Sequence, residues 1–177
     1  MNVVCFAGYS GSGKTTLVEG VIGALKLRGL RVSVVKHAHH KFDIDHPGKD
    51  TWRHREAGAF EVIAASDRRM ALIREFEQPT QLTVHQLIEQ LDTGVDWVLV
   101  EGFKQSDLPK VEVWRADAGQ PARYMHDDFV VAIATDDPAR LPEPTQRPLL
   151  DINDHDAVAQ WLVDQGDRFE YIASRHA

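Results

Sequence analysis

Eight residues near the start of the chain, Gly8-Tyr9-Ser10-Gly11-Ser12-Gly13-Lys14-Thr15, fit the pattern G-x-x-x-x-G-K-[ST] at every fixed position. The chemistry of that spacing is phosphate binding. Glycines let backbone N–H groups converge on an anion with no side chain in the way. A helix that begins at Lys14 adds its positive dipole end at the same point. The lysine reaches the outer phosphates and the Thr15 hydroxyl takes Mg²⁺. Ser10, Gly11, Ser12, Gly13, Lys14, Thr15 and Thr16 are therefore the expected phosphate-binding stretch. A dinucleotide-binding turn fits less well, because it needs glycine or alanine where Thr16 stands.

A second group of residues completes such a site. A phosphate loop works with an acid at the tip of a neighbouring buried strand, which holds the metal. Glu101 follows the apolar run Trp97-Val98-Leu99-Val100 and precedes Gly102, so it is the expected metal partner beside Thr15. The usual residue there is aspartate. Asp43, Asp45 and Asp50 lie beyond the second predicted strand, on the edge where open parallel sheets bind ligands. Spacing does not choose among these three, and Asp50 reads equally well as a helix cap. His37, His39, His40, His46 and His54 crowd the same region. They read as a wet polar loop rather than a metal site, because no cysteine joins them and no H-x-x-x-H helix forms. Lys36, Lys41 and Lys49 would give that loop phosphate or pterin contacts. Thr135-Asp136-Asp137 ends another strand, and an aspartate there could accept from the N1 and N2 edge of guanine. The alternative is an acidic turn before Pro138.

The elements that must position these groups are legible from pattern. Val3–Ala7 reads as a buried strand, and Gly29 closes the helix after the glycine loop. Leu30–Val35 reads as the next strand, parallel to the first across the helix. A short helix is predicted over Asp50–Ala57, with Gly58 as its stop. Strands over Phe60–Ala65 and Met70–Arg74 are joined by a link short enough to require a hairpin. A helix is predicted over Thr83–Leu91. Strands follow at Trp97–Val100, Val111–Trp114, Val130–Ala134 and Leu149–Leu150, then a helix over Asp154–Gln165. The expected fold class is α/β: a P-loop nucleotide-binding fold with a mostly parallel sheet flanked by helices and an antiparallel hairpin extension. A single domain spanning 1–177 is expected.

Composition narrows the classes. The 177 residues are 43% apolar and 27% charged, which suits a globular chain with a sizeable core. The formal charge of −7 gives no basic surface for nucleic acid. The apolar runs are too short to span a bilayer, and no cleavable leader is evident. The single cysteine, Cys5, reads as a small core residue. A cytoplasmic location is expected.

Several blocks together carry a family resemblance. Gly8–Thr16, Val35-Lys36-His37-Ala38-His39-His40, Asp45-His46-Pro47-Gly48-Lys49-Asp50, Val100-Glu101-Gly102-Phe103-Lys104 and Leu150-Asp151-Ile152-Asn153-Asp154 resemble the signature blocks of the MobB family of molybdopterin-guanine dinucleotide biosynthesis adapters. The resemblance spans nearly the whole chain. It implies GTP as the nucleotide, with Mg²⁺, and weak intrinsic hydrolysis. It implies a partner, the molybdenum cofactor nucleotidyltransferase, and contact with molybdopterin or its guanine dinucleotide. It also implies a homodimer built through the hairpin regions. Two other readings share the glycine loop: a small-molecule kinase, and a metal-insertion chaperone using the histidines. A kinase needs a basic lid, and the adjacent pair Arg68-Arg69 falls in a predicted tight turn. No glutamine or arginine stands out as a hydrolysis group, so turnover should be slow and catalytic residues are not assigned.

Overall fold

Apolar runs bounded by turns form a six-stranded, all-parallel sheet in the computed structural model, which describes residues 1–38 and 43–173. The strands are β1 (Asn2–Ala7), β2 (Val32–Lys36), β5 (Trp97–Glu101), β6 (Lys110–Val113), β7 (Val130–Thr135) and β8 (Leu149–Asp151). Their order is β2-β5-β1-β6-β7-β8. β3 (Glu61–Ala65) and β4 (Met70–Arg74) pair antiparallel as a separate two-stranded sheet. The helices are α1 (Lys14–Leu27), α2 (Asp50–Glu56), α3 (Val84–Ile88) and α4 (His155–Asp164). This is the expected α/β architecture with its hairpin.

The chain divides into two compact units. The larger comprises Met1–His37 and the described chain from Thr83 onward. The smaller is the described part of Ala38–Leu82.

Alternation along β1 builds the two faces of the larger unit. Val4 and Phe6 face α1 and α4, packing with Leu17, Val21, Leu25, Val158 and Leu162. Val3, Cys5 and Ala7 face the other way, onto Val84 and Ile88 of α3. A strand covered on both faces reads as a continuous apolar run, as β1 and β5 do. Each such side chain, fully buried, contributes roughly 1.5–3 kcal/mol. α1 stops in a paired-bond C-cap: Gly29 N–H donates to Lys26 O at 3.0 Å and Leu30 N–H to Leu25 O at 3.2 Å, with Gly29 at φ 78°.

The helix predicted over Thr83–Leu91 is shorter, ending at Ile88. Thr83 caps it in a reciprocal box with Gln86. Beyond Ile88 the backbone tightens, with Gln90 N–H donating to Leu87 O and Leu91 N–H to Ile88 O. Asp50 is not the cap of α2. That position is Lys49, and Asp50 is the first helical residue, where its charge suits the helix dipole without a cap bond.

In the smaller unit Arg55 ties the chain together. Its guanidinium binds Glu75 at 2.6 Å, Asp43 at 3.1 Å and Asp45 at 3.1 Å. The hydrogen bond to Glu75, then that to Asp43, raises the guanidinium further above its ordinary range. Asp45 also accepts from the Thr51 hydroxyl at 2.8 Å and from His46 N–H at 2.9 Å. Burial acts to raise its carboxyl, and these bonds outweigh that and hold it below the ordinary value.

β6 carries the least expected feature. Lys110 opens this strand and is 1% exposed, as is Glu112. Lys110 Nζ donates to Ser106 O, sits 3.4 Å from Asp127 and lies over the Phe129 ring. Glu112 accepts Arg123 N–H at 2.6 Å and Tyr124 N–H at 2.7 Å. Burial pushes its carboxyl above the ordinary value, although those N–H groups favour the ion. A carboxyl whose folded value is raised gives up stability as pH climbs through that value. The protein should therefore gain stability as pH falls from 7 toward 4.5, the ordinary value. The carboxyls held below 3.8, such as Asp43 and Asp45, act only at lower pH. Glu112→Gln should abolish that gain. At pH 7 it should cost about 1–3 kcal/mol, because one buried N–H loses its acceptor. Urea unfolding of both proteins across this range checks it.

Candidate functional site

The phosphate loop is positioned by β1 and α1, and its geometry follows from its glycines. A Cβ at Gly8 would lie 2.4 Å from Val113 O, so only glycine lets the loop leave β1 against β6. Gly11 and Gly13 take φ of 81° and 90°, the left-handed region that side chains resist. Gly13 stands at the N-cap of α1, and its carbonyl accepts Leu17 N–H at 3.0 Å. Ser12 is buried at 2% exposure. Lys14 Nζ donates to Tyr9 O at 2.7 Å and so lies along the loop. Burial lowers its ammonium, opposed by Glu101 and reinforced by Lys36 and Lys104.

The sheet register brings the predicted acid to the predicted hydroxyl. β5 lies directly beside β1, with Phe6 opposite Glu101, and β2 pairs on the other side with Lys36 opposite Glu101. Thr15 Oγ1 donates to Glu101 Oε1 at 2.9 Å. Lys36 Nζ stands 3.3 Å from the same oxygen. The Glu101 side chain is 12% exposed, largely enclosed at the strand tip. Mg²⁺ takes an octahedron of oxygens, usually one or two carboxylates plus phosphate and water, and needs no dedicated all-protein cage. One hydroxyl and one carboxylate converging at a helix N-terminus fit that requirement. Thr15 and Glu101 are the residues that would hold the ion.

The turn after Glu101 is strained. Gly102 has φ 94° and Phe103, a bulky residue, has φ 42°. A Cβ at Gly102 would meet His37 Cβ at 2.8 Å, so this glycine allows β2 and β5 to end side by side. The His37 ring packs obliquely on Phe103 at 4.8 Å, and the His37 backbone N–H donates to Glu101 O. Beneath, the Cys5 thiol donates to Gly102 O at 3.2 Å. Burial pushes that thiol up to about 12, so it remains protonated and acts as a donor. The turn delivers Lys104, whose Nζ lies 5.0 Å from the centre of the Tyr9 ring. Lys104 and Tyr9 had no role from sequence. Their signal was present in the Glu-Gly-Phe-Lys block, but only the fold shows that it faces the glycine loop.

Asp43 and Asp45 bind Arg55 within the smaller unit, and the Asp50 carboxylate is exposed on the first turn of α2. His39, His40 and Lys41 lie outside the described residues. Among the described residues, no three His, Cys, Asp or Glu side chains gather to hold a metal. Asp137 is committed as a cap, accepting Ala139 N–H at 3.0 Å. Asp136 stands 3.6 Å from Arg115, which follows β6. Arg115 was not singled out in the sequence.

Known proteins resemble this chain along most of its length. The model of the family described as molybdopterin guanine dinucleotide synthesis protein B, MobB, matches residues 3–136. The chain is 41% identical over 164 residues to the molybdopterin-guanine dinucleotide biosynthesis adapter protein of Escherichia coli, covering 92% of this chain and 91% of that one. It is 45% identical over 156 residues to the protein of the same name from Haemophilus influenzae, covering 88% and 84%. The crystal structure of a MobB protein homolog from Bacillus stearothermophilus superposes with a TM-score of 0.70 at 29% identity, over 93% of this chain and 97% of that one. With the family model matched over residues 3–136 and relatives above 40% identity aligned over most of both chains, the chain belongs to the MobB family.

Proposed function

We propose that this chain is a GTP-binding adapter in molybdopterin guanine dinucleotide synthesis. In this reading it holds GTP with Mg²⁺ at the glycine loop and hydrolyses it slowly. It acts beside the nucleotidyltransferase that joins molybdopterin to GMP, with molybdopterin or its guanine dinucleotide nearby. The observation that carries the nucleotide assignment is the 2.9 Å approach of Thr15 Oγ1 to Glu101 Oε1 beside a complete phosphate loop. Thr15 and Glu101 would hold Mg²⁺, which would neutralise charge on the outer phosphates, and Lys14 and Lys36 would supply the remaining positive charge. The adapter role is supported by family membership and by the names of the relatives.

A homodimer is part of this proposal. One face of the hairpin presents Ile63 opposite Leu72 and Ala65 opposite Met70. Ile63, Met70 and Leu72 are 63%, 70% and 46% exposed, and Phe60 and Phe76 beside them are also exposed. An apolar strand face of this kind is costly in water and suits burial against a second copy.

Lys14→Ala should abolish tight GTP binding in isothermal titration, since it removes the lysine that reaches the β- and γ-phosphates. Wild-type affinity in that variant would refute the site. Glu101→Gln should still bind nucleotide but lose most of the tightening by Mg²⁺. A Mg²⁺ response equal to wild type would remove Glu101 as the metal's partner. Ile63→Lys with Leu72→Lys should shift the protein to monomer by sedimentation while leaving GTP binding intact. A dimer that survives both charges would exclude this face.

A further inference from the structure

Arg115 occupies an electrostatically odd place. It stands two residues beyond the end of β6, the neighbour of β1 on the side away from β5. A Cβ built at Gly13 would lie 3.6 Å from both its Nε and its Nη2. The guanidinium thus packs against the N-cap residue of α1, where the helix dipole is positive. Two sources of positive charge meet there, and each raises the cost of the other. Among the described residues Nε is buried with no hydrogen-bond acceptor. The one carboxylate at hand, Asp136, is 3.6 Å from Nη1, too far for a hydrogen bond, and both side chains are about a third exposed. Ser12 Oγ, in the same loop, is likewise buried without a partner. An orphaned guanidinium N–H beside a helix N-terminus has one simple complement, an anion with several acceptor oxygens.

The sheet order says which part of a nucleotide that anion is. Thr15 and Glu101, which would hold the metal and with it the outer phosphates, stand on the β5 side of β1. A polyphosphate held over the loop must then leave on the β6 side, where Arg115, Asp136 and Ile152 stand. We infer that Arg115 is a nucleotide-positioning residue: its guanidinium takes a non-bridging oxygen of an inner phosphate, α or β, at the Gly13 face of the loop. Asp136 holds the far side of the guanidinium and keeps its plane toward the phosphates. This rests on the nucleotide reading above and adds to it the residue that fixes where the nucleoside leaves the loop.

The test is calorimetric titration of the full chain with GTP and GDP, alongside thermal unfolding without nucleotide. Arg115→Met should weaken GTP and GDP alike, by roughly 10- to 100-fold, the fold-change of a lost hydrogen bond to a charged group. The tightening by Mg²⁺ should persist. Arg115→Lys should recover part of the loss, because it restores charge without the planar fork. In the nucleotide-free protein Arg115→Met should melt no lower than wild type, since it removes a charge facing a like dipole. Unchanged GTP affinity in Arg115→Met would overturn the proposal. So would a lowered melting point reproduced by Asp136→Asn, which would make the pair a purely structural one. Wild-type protein that binds neither GTP nor GDP would defeat the nucleotide reading itself, whereas wild-type binding with an indifferent Arg115 defeats only this assignment.

Discussion

The parallel pairing of β5 with β1 is the constraint on which the rest of this structure depends. It sets Phe6 opposite Glu101, so the acid at the end of one strand and the loop at the end of the other share an edge. Strands lie about 4.8 Å apart. That is close enough for a glutamate to reach the first turn of the helix that follows the neighbouring strand. Aspartate is the usual residue at such a tip, and here the longer side chain still reaches Thr15 Oγ1. β2 pairs on the outer side of β5 and brings Lys36 to the same carboxylate, so one row across three strands supplies phenylalanine, glutamate and lysine. Any residue inserted in β5 would move Glu101 to the opposite face and break all of this at once.

The turn after Glu101 shows what that convergence costs locally. Two successive residues with positive φ, one of them Phe103, occupy a conformation that an unconstrained chain avoids. The surrounding groups hold it. Cys5 donates from below, and His37 packs from β2 against Gly102 and Phe103. Behind it Arg123 Nη2 donates to Lys104 O at 2.9 Å. Through the same nitrogen it lies 3.5 Å from Asp127, and Asp127 in turn faces buried Lys110. The buried charges of β6 therefore act as the foundation of the turn rather than as a site. Strain at Phe103 and burial of Lys110 are two parts of one arrangement.

Much of this was legible in the sequence because it rests on local pattern. The glycine loop, the apolar run before Glu101 and the tight link between β3 and β4 each follow from spacing within about ten residues. What escaped detection depends on long-range packing. Lys110-Val111-Glu112-Val113 has the alternation of a half-exposed strand, whose polar residues face water. Instead the chain at 123–129 folds over that face and buries both charges. Arg115 was invisible for the same reason. Nothing near it in sequence contains a phosphate loop, and only the order β1-β6 brings it to Gly13. Asp45 was legible as an acid but not as a structural one, because its partner Arg55 lies one helix away.

Charge distribution gives the last constraint. The chain is acidic overall at −7, yet positive groups gather around its glycine loop: Lys36 and Lys104 both act on Lys14, and Arg115 lies beside Gly13. One carboxylate, Glu101, offsets Lys14 and Lys36. Like charges assembled on one side of an otherwise negative molecule raise its free energy unless a ligand of opposite sign lowers it again. If Mg²⁺ neutralises Glu101, the carboxylate ceases to offset the lysines, and their attraction turns wholly to phosphate. The metal and the triphosphate then favour each other's binding, because each removes the charge imbalance that the other creates.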